Sequence, residues 1–123
     1  MSRRPLVLLV DDEPSILRST GLLLEDLGFR VHALGEHEGV AEAARQLAPD
    51  VILQDVRMPG LDIERLVRAL RAQKATAGIP IVLFSASMDL EEIGGRVAVD
   101  DVLEKPFHPE QLQAALERAL KAA

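Results

Sequence analysis

The chain alternates between short runs that are apolar throughout and longer stretches in which apolar residues recur at helical spacing. Runs of strand length stand at 6–10 (Leu-Val-Leu-Leu-Val), 51–53, 79–84 and 102–103, the third with Pro80 near its start. A further run, 30–34, alternates apolar and polar residues and predicts an edge strand. Between these runs, Val40, Ala43, Ala44 and Leu47 trace one apolar helix face. Ile63, Leu66, Val67 and Leu70 trace a second, and Leu112, Ala115, Leu116, Ala119 and Leu120 a third. Residues 14–27 read as helical too, with Pro14 suited to the first turn and Gly28 to the position beyond the end.

The weakest element is a candidate fourth helix over 89–97, where Gly94 and Gly95 each cost ~1 kcal/mol relative to Ala. Its start is better specified, because Asp89 and Glu92 have the spacing of a capping box. Strand and helix therefore alternate five times along the chain. That order predicts a parallel sheet covered by helices on both faces, and runs such as 6–10 fit strands buried on both sides. The connections at Ala48-Pro49-Asp50 and Met58-Pro59-Gly60 are short and leave no room for an inserted module.

Composition narrows the picture. The 123 residues suit one domain over 1–123, and with 48% hydrophobic and 28% charged residues a packed core is expected. A net charge of -6 gives no positive field for phosphate backbones, so direct nucleic-acid binding by this domain is not expected. With no Cys there is neither a disulfide framework nor a thiolate metal site, and with no Asn there is no glycosylation sequon. The apolar run at 6–10 is far below the ~20 residues of a membrane span. The expected compartment is the cytoplasm, without membrane contact. Trp and Tyr are absent and only Phe29, Phe84 and Phe107 remain, too few for a base- or flavin-stacking platform.

The chemically useful residues follow the strand runs: Asp11 and Asp12 after the first, Asp55 after the third, Ser85 after the fourth, Lys105 after the fifth. Each alone has a plain structural reading as a helix-terminus charge, a turn former, a cap or a solvated lysine. In an open parallel sheet, however, the carboxyl ends of the strands converge on one cleft where strand order reverses. Three carboxylates there, ~5 Å apart, repel by roughly 3 kcal/mol per pair at an effective dielectric near 20. A hard dication offsets that repulsion and leaves a carboxylate ionised as a nucleophile; Mg²⁺ suits carboxylates, waters and a phosphoryl oxygen, with Mn²⁺ as the alternative. An oxygen nucleophile, a cation, a lysine and a hydroxyl are the parts of a phosphoryl-transfer site.

Four strings carry a family resemblance: Val-Leu-Leu-Val-Asp-Asp-Glu-Pro at 7–14, Pro-Asp-Val-Ile-Leu-Gln-Asp-Val-Arg-Met-Pro-Gly-Leu-Asp at 49–62, Phe-Ser-Ala at 84–86 and Leu-Glu-Lys-Pro-Phe at 103–107. Together they resemble a response regulator receiver domain over nearly the whole chain. The resemblance implies a flavodoxin-like (βα)5 three-layer fold with strand order 2-1-3-4-5. It implies Asp55 as phosphoacceptor, Asp12 and Asp55 as direct metal ligands with the Arg57 backbone carbonyl, and Asp11 reaching the metal through water. Ser85 and Lys105 would hold the phosphoryl oxygens, and the Lys105–Pro106 peptide would be cis. The implied partners are a sensor histidine kinase or histidine phosphotransfer protein, and a downstream protein or output domain. A dimer through the face of the fourth helix, fifth strand and fifth helix belongs to the same expectation.

Some positions depart from the family pattern. Val102 stands where many receivers carry Tyr or Phe, which predicts a readout through backbone movement over 85–97 rather than through rotation of a ring. Ile63 replaces a common glycine and reads as core contact for the third helix. Arg57 and Ser87 occupy variable positions that tune the phosphoryl lifetime in the family. The chain has no Gly-x-Gly-x-x-Gly and no Gly-Lys-Ser/Thr loop, and after His37-Glu38 Ala41 stands where a zinc helix needs its second histidine. His32, His37 and His108 read as surface or core residues. The competing class is a small Mg²⁺-dependent phosphatase working through an aspartyl phosphate. Such enzymes place a second Asp two residues after the nucleophile, where this chain has Arg57, and carry a cap for which it has no insertion. The chain is therefore not expected to be an enzyme beyond metal-assisted phosphorylation and dephosphorylation of itself.

Overall fold

Five parallel strands form one sheet in the order β2-β1-β3-β4-β5: β1 (Leu6–Val10), β2 (Arg30–Leu34), β3 (Val51–Asp55), β4 (Ile81–Ser85) and β5 (Asp101–Glu104). The computed structural model describes residues 4–86, 92, 93, 95 and 97–122. Its helices are α1 (Pro14–Asp26), α2 (Val40–Leu47), α3 (Ile63–Ala72) and the C-terminal α4 (Pro109–Ala122). The expected helix over 89–97 falls largely outside the described residues, with Asp89 and Gly94 among those not described; Glu92, Ile93 and Gly95 are helical. The readout segment 85–97, with Ser87, and the dimer face built on that helix are in the same position.

Alternation along the strands divides the core. Val7, Leu9, Val51, Leu53, Val82 and Phe84 point to one side and meet Leu24 of α1 with Leu112, Ala115, Leu116 and Ala119 of α4. Leu8, Val10, Ile52, Ile81 and Leu83 point to the other and meet Val40 and Ala44 of α2 with Ile63, Val67 and Leu70 of α3. The sheet is thus covered on both faces, which is why the runs 6–10, 51–53 and 81–84 are apolar without alternation. Edge strand β2 is half exposed, as its mixed sequence predicts.

Helix ends follow local chemistry. Pro14 opens α1, and the helix closes one residue earlier than the sequence pattern predicts. There Gly28 takes φ +99°, while the Gly28 and Phe29 N–H groups donate to the carbonyls of Glu25 and Leu24, a Schellman closure. The Asp62 side chain caps α3 by accepting from the Arg65 N–H at 3.1 Å. Strand β4 begins at Ile81 rather than 79, because Pro80 has no N–H to give the ladder; the Ile81 N–H goes to the Asp100 carboxylate at 2.7 Å. Asp55 and Ser85 are the last residues of their strands rather than the first residues after them, paired in register with Phe84 and Glu104.

Arg71 ties the far end of the sheet. Its guanidinium donates to the carbonyls of Ala77, Ile79 and Ala98 and to the Asp100 carboxylate, at 2.6–3.3 Å. This single side chain joins the end of α3 to the segments that lead into β4 and β5.

Candidate functional site at the carboxyl ends of the strands

The strand order brings the ends of β1, β3, β4 and β5 side by side, and the site assembles from what each end carries. Asp11 and Asp12 follow β1, Asp55 and Ser85 end β3 and β4, and Lys105 follows β5, where its N–H donates to the Ser85 carbonyl at 3.0 Å. Carboxylate oxygens of Asp11, Asp12 and Asp55 all lie within 4.8 Å of one another. Asp11 is fully buried, Asp55 is 4% exposed, and Ser85 is buried, whereas Asp12 and Arg57 face solvent.

Among the described residues one ammonium serves this cluster. Lys105 Nζ lies 2.6 Å from Asp11 Oδ2, 3.9 Å from Asp55 Oδ1 and 4.4 Å from the centroid of the Phe84 ring. The stem of Lys105 is thus half-buried over an aromatic face, and its charge is shared unequally. Asp11 also accepts the Glu13 N–H at 3.0 Å, just ahead of α1. Burial pushes the Asp55 carboxyl up from its ordinary 3.8 to about 6, against the pull of Lys105 and of the Arg57 N–H that Asp55 Oδ1 accepts at 3.3 Å; the charges of Asp11 and Asp12 push it further up. Three acids facing one lysine leave excess negative charge, and every donor atom they offer is a hard oxygen. That set fits a divalent cation of the Mg²⁺ type.

The loop after Asp55 is held from two directions. Met58 to Leu61 form a turn, with the Leu61 N–H donated to the Met58 carbonyl and φ +76° at Gly60, as a type II turn with Pro59 and Gly60 at its centre requires. Beneath it, Gln54 Nε2 donates to the Asp55 carbonyl at 2.9 Å and approaches Met58 Sδ at 3.5 Å. From outside, His37 Nε2 lies 3.0 Å from the Pro59 carbonyl. Gln54 is 1% exposed, and its Oε1 meets no donor among the described residues, a cost of about 1–3 kcal/mol for a buried acceptor. Neither residue emerges from the motif reading. The polar Gln54 in an otherwise apolar strand run was a visible signal, while His37 carries none in the sequence.

The family profile of the response regulator receiver domain matches residues 7–117. The chain belongs to this family. Receiver domains are the regulatory modules of two-component phosphorelays, and that membership disfavours the small-phosphatase alternative. The DNA-binding response regulator MtrA of Mycolicibacterium smegmatis is 33% identical over 120 residues, covering 96% of this chain and 51% of that protein. The chain thus spans about half the length of the curated relatives it matches first. The receiver domain of sensor histidine kinase PA1611 from Pseudomonas aeruginosa PAO1, solved with a magnesium ion coordinated in its active-site cleft, has a TM-score of 0.86 at 30% identity and covers 96% of this chain and 98% of its own. Chemotaxis response regulator CheY4 of Vibrio cholerae has a TM-score of 0.85 at 32% identity, over 95% of this receiver and 99% of CheY4.

Two expected features of the fold are present. The sheet order is that of the flavodoxin-like receiver fold, and Lys105–Pro106 is cis. Beside the acidic cluster, an open groove of about 510 Å³ runs between Ile16, Thr20 and Leu23 of α1 and the Lys105-Pro106-Phe107 segment. Among the described residues no helix is long and apolar enough to cross a membrane.

Proposed function

We propose that this receiver accepts a phosphoryl group on Asp55 from a histidine kinase or histidine phosphotransfer protein, and that the phosphorylated state is read by a downstream protein or output domain. Residues 1–123 act as one receiver unit, working in the cytoplasm. The observation that carries the reading is the juxtaposition of three carboxylates and one lysine at the carboxyl ends of adjacent strands.

Asp12, Asp55 and the Arg57 backbone carbonyl would hold Mg²⁺ directly, with Asp11 reaching it through water; Mn²⁺ suits the same oxygens. When bound, the cation neutralises the clustered carboxylates and the charge on the phosphoryl oxygens. An Asp55 carboxylate oxygen forms the new bond to phosphorus as the donor's P–N bond breaks, and the imidazole leaves with the electron pair and takes up a proton. Lys105 and the Ser85 hydroxyl then hold phosphoryl oxygens. Hydrolysis reverses the state: a water oxygen bonds to phosphorus, the Asp55–phosphorus bond breaks, and the carboxylate returns. The groove between α1 and the Lys105-Pro106-Phe107 segment supports docking of the donor beside Lys105.

Incubation with Mg²⁺ and acetyl phosphate, followed by mass spectrometry, tests the reading. One phosphoryl group on Asp55, absent in Asp55→Asn and lost with chelator, is the expected result. Labelling at another residue, or labelling indifferent to chelator, would refute it.

A further inference from the structure

Three observations converge on the loop that follows Asp55. Gln54 spends its amide N–H on the Asp55 carbonyl and faces Met58 Sδ, so it brackets residues 55–58 from inside the core. Its Oε1 finds no donor among the described residues, so an apolar side chain of the same length would suit the buried position better by packing alone. Across the same loop, His37 reaches the Pro59 carbonyl from the connection between β2 and α2. A carbonyl only accepts, so His37 carries its proton on Nε2. The ring is 19% exposed, and a Cβ on Gly60 would lie 3.5 Å from Nε2, which leaves the imidazole closely seated on the turn.

We propose that Gln54 and His37 are positioning residues for this site: they hold residues 55–60 from opposite sides and so set where the Arg57 carbonyl stands relative to the Asp55 carboxylate. The inference rests on the function proposed above, since it concerns a ligand and the acceptor of that same site. Neither residue touches the reacting atoms. Both act on a backbone oxygen, whose place no side-chain substitution at Arg57 would reveal. A loop fastened at Asp55, Met58 and Pro59 presents its intervening carbonyl in one arrangement, and a loop released at either end presents it in several. Loss of a group that holds a metal ligand in place typically weakens ion binding or activity by roughly 10- to 100-fold.

The test compares wild type with Gln54→Met, His37→Ala and His37→Gln. Gln54→Met keeps the length and removes both polar atoms; His37→Ala is a partly exposed change that does not threaten the core; His37→Gln keeps an N–H donor at similar reach. Readouts are Mg²⁺ affinity by calorimetry, the acetyl phosphate labelling rate at saturating Mg²⁺, and hydrogen exchange at the Arg57 and Leu61 amides. The expected result is Mg²⁺ binding weaker by about tenfold in Gln54→Met and His37→Ala, with slower labelling and faster exchange at both amides. His37→Gln should regain most of the loss. Variants that match a normally labelled wild type in affinity, labelling rate and exchange would overturn the inference. A wild-type chain that binds no Mg²⁺ and takes no label would instead overturn the function proposed above. In that case unchanged exchange in the variants would overturn the clasp as well, and accelerated exchange would uphold the hold on the loop.

Discussion

Asp55→Asn should make the metal-free protein more stable, by an amount that depends on pH. Burial lifts the Asp55 carboxyl from 3.8 to about 6 in the folded chain, so the folded state holds this proton more tightly than the unfolded state does. The sign follows from linkage: as pH rises from about 4 to about 6 the folded protein must give up a proton that the unfolded chain has already lost, and stability falls. Above that window the cost is complete, roughly 3 kcal/mol for the separation between the two values. Asparagine stands in for the protonated acid. Its carbonyl oxygen can still accept the Arg57 N–H, and Lys105 keeps its closer partner Asp11. The gain from the substitution should therefore grow from under about 1 kcal/mol at pH 4 to about 3 kcal/mol at pH 8, the latter raising the melting midpoint by roughly 10 °C. Urea and thermal unfolding followed by circular dichroism, in chelator and across that range, measure it directly. Added Mg²⁺ should narrow the gap at pH 8 by stabilising the wild type. An Asn variant no more stable than wild type at pH 8 in chelator, or a gap that does not change with pH, would refute the reasoning.

Two further substitutions probe the frame that presents the site. Gly28→Ala should cost about 1–2 kcal/mol, because φ +99° suits only glycine while the added Cβ meets nothing within 4 Å; an unchanged thermal midpoint would contradict the left-handed closure of α1. Arg71→Lys keeps the charge but not the fork that reaches Ala77, Ile79, Ala98 and Asp100, and it should lower the urea stability by about 2 kcal/mol. Equal midpoints for the two proteins would show that the guanidinium contributes nothing net.

The parallel sheet covered on both faces and its cleft were legible from the pattern of runs alone, whereas the strand order was legible only through the family resemblance. Unbroken apolar runs announce strands covered on two faces, and the residues at their carboxyl ends need no further geometry to be brought together. Contacts that depend on loop conformation were not legible. Nothing in the sequence sets His37, in one connection, against the Pro59 carbonyl in another. The left-handed Ala48 that ends α2 is equally silent, since alanine carries no preference for that conformation. Arg71 reads as one more charge on a polar helix face, and its role depends on carbonyls 6 to 27 residues away in the chain. Strand ends moved by one or two residues for identifiable reasons, as where Pro80 withholds an N–H and Asp100 supplies an acceptor instead.

The unequal sharing of Lys105 predicts an order of events at the site. At 2.6 Å from Asp11 and 3.9 Å from Asp55, the ammonium is held by Asp11 more strongly, by about 2 kcal/mol at an effective dielectric near 20. A lysine committed in this way cannot serve a phosphoryl group on Asp55 until the charge of Asp11 is compensated otherwise. Buried Asp11 will not release its ammonium partner at small cost, because an unpaired buried carboxylate is worse by several kcal/mol than a paired one. Cation binding should therefore precede the turn of Lys105 towards Asp55, and donor binding should follow it. Nuclear magnetic resonance of the ¹⁵N-labelled Lys105 ammonium follows this turn. Its signal should move when Mg²⁺ is added alone, and in Asp11→Asn it should already be displaced before any Mg²⁺ is present. Loss of the Asp11 charge then substitutes for the cation as far as Lys105 is concerned, although it does not restore labelling. A Lys105 signal that ignores Mg²⁺ and responds only to a phosphoryl mimic such as beryllofluoride would show that the lysine turns after the acceptor is occupied, and the order argued from these distances would be wrong.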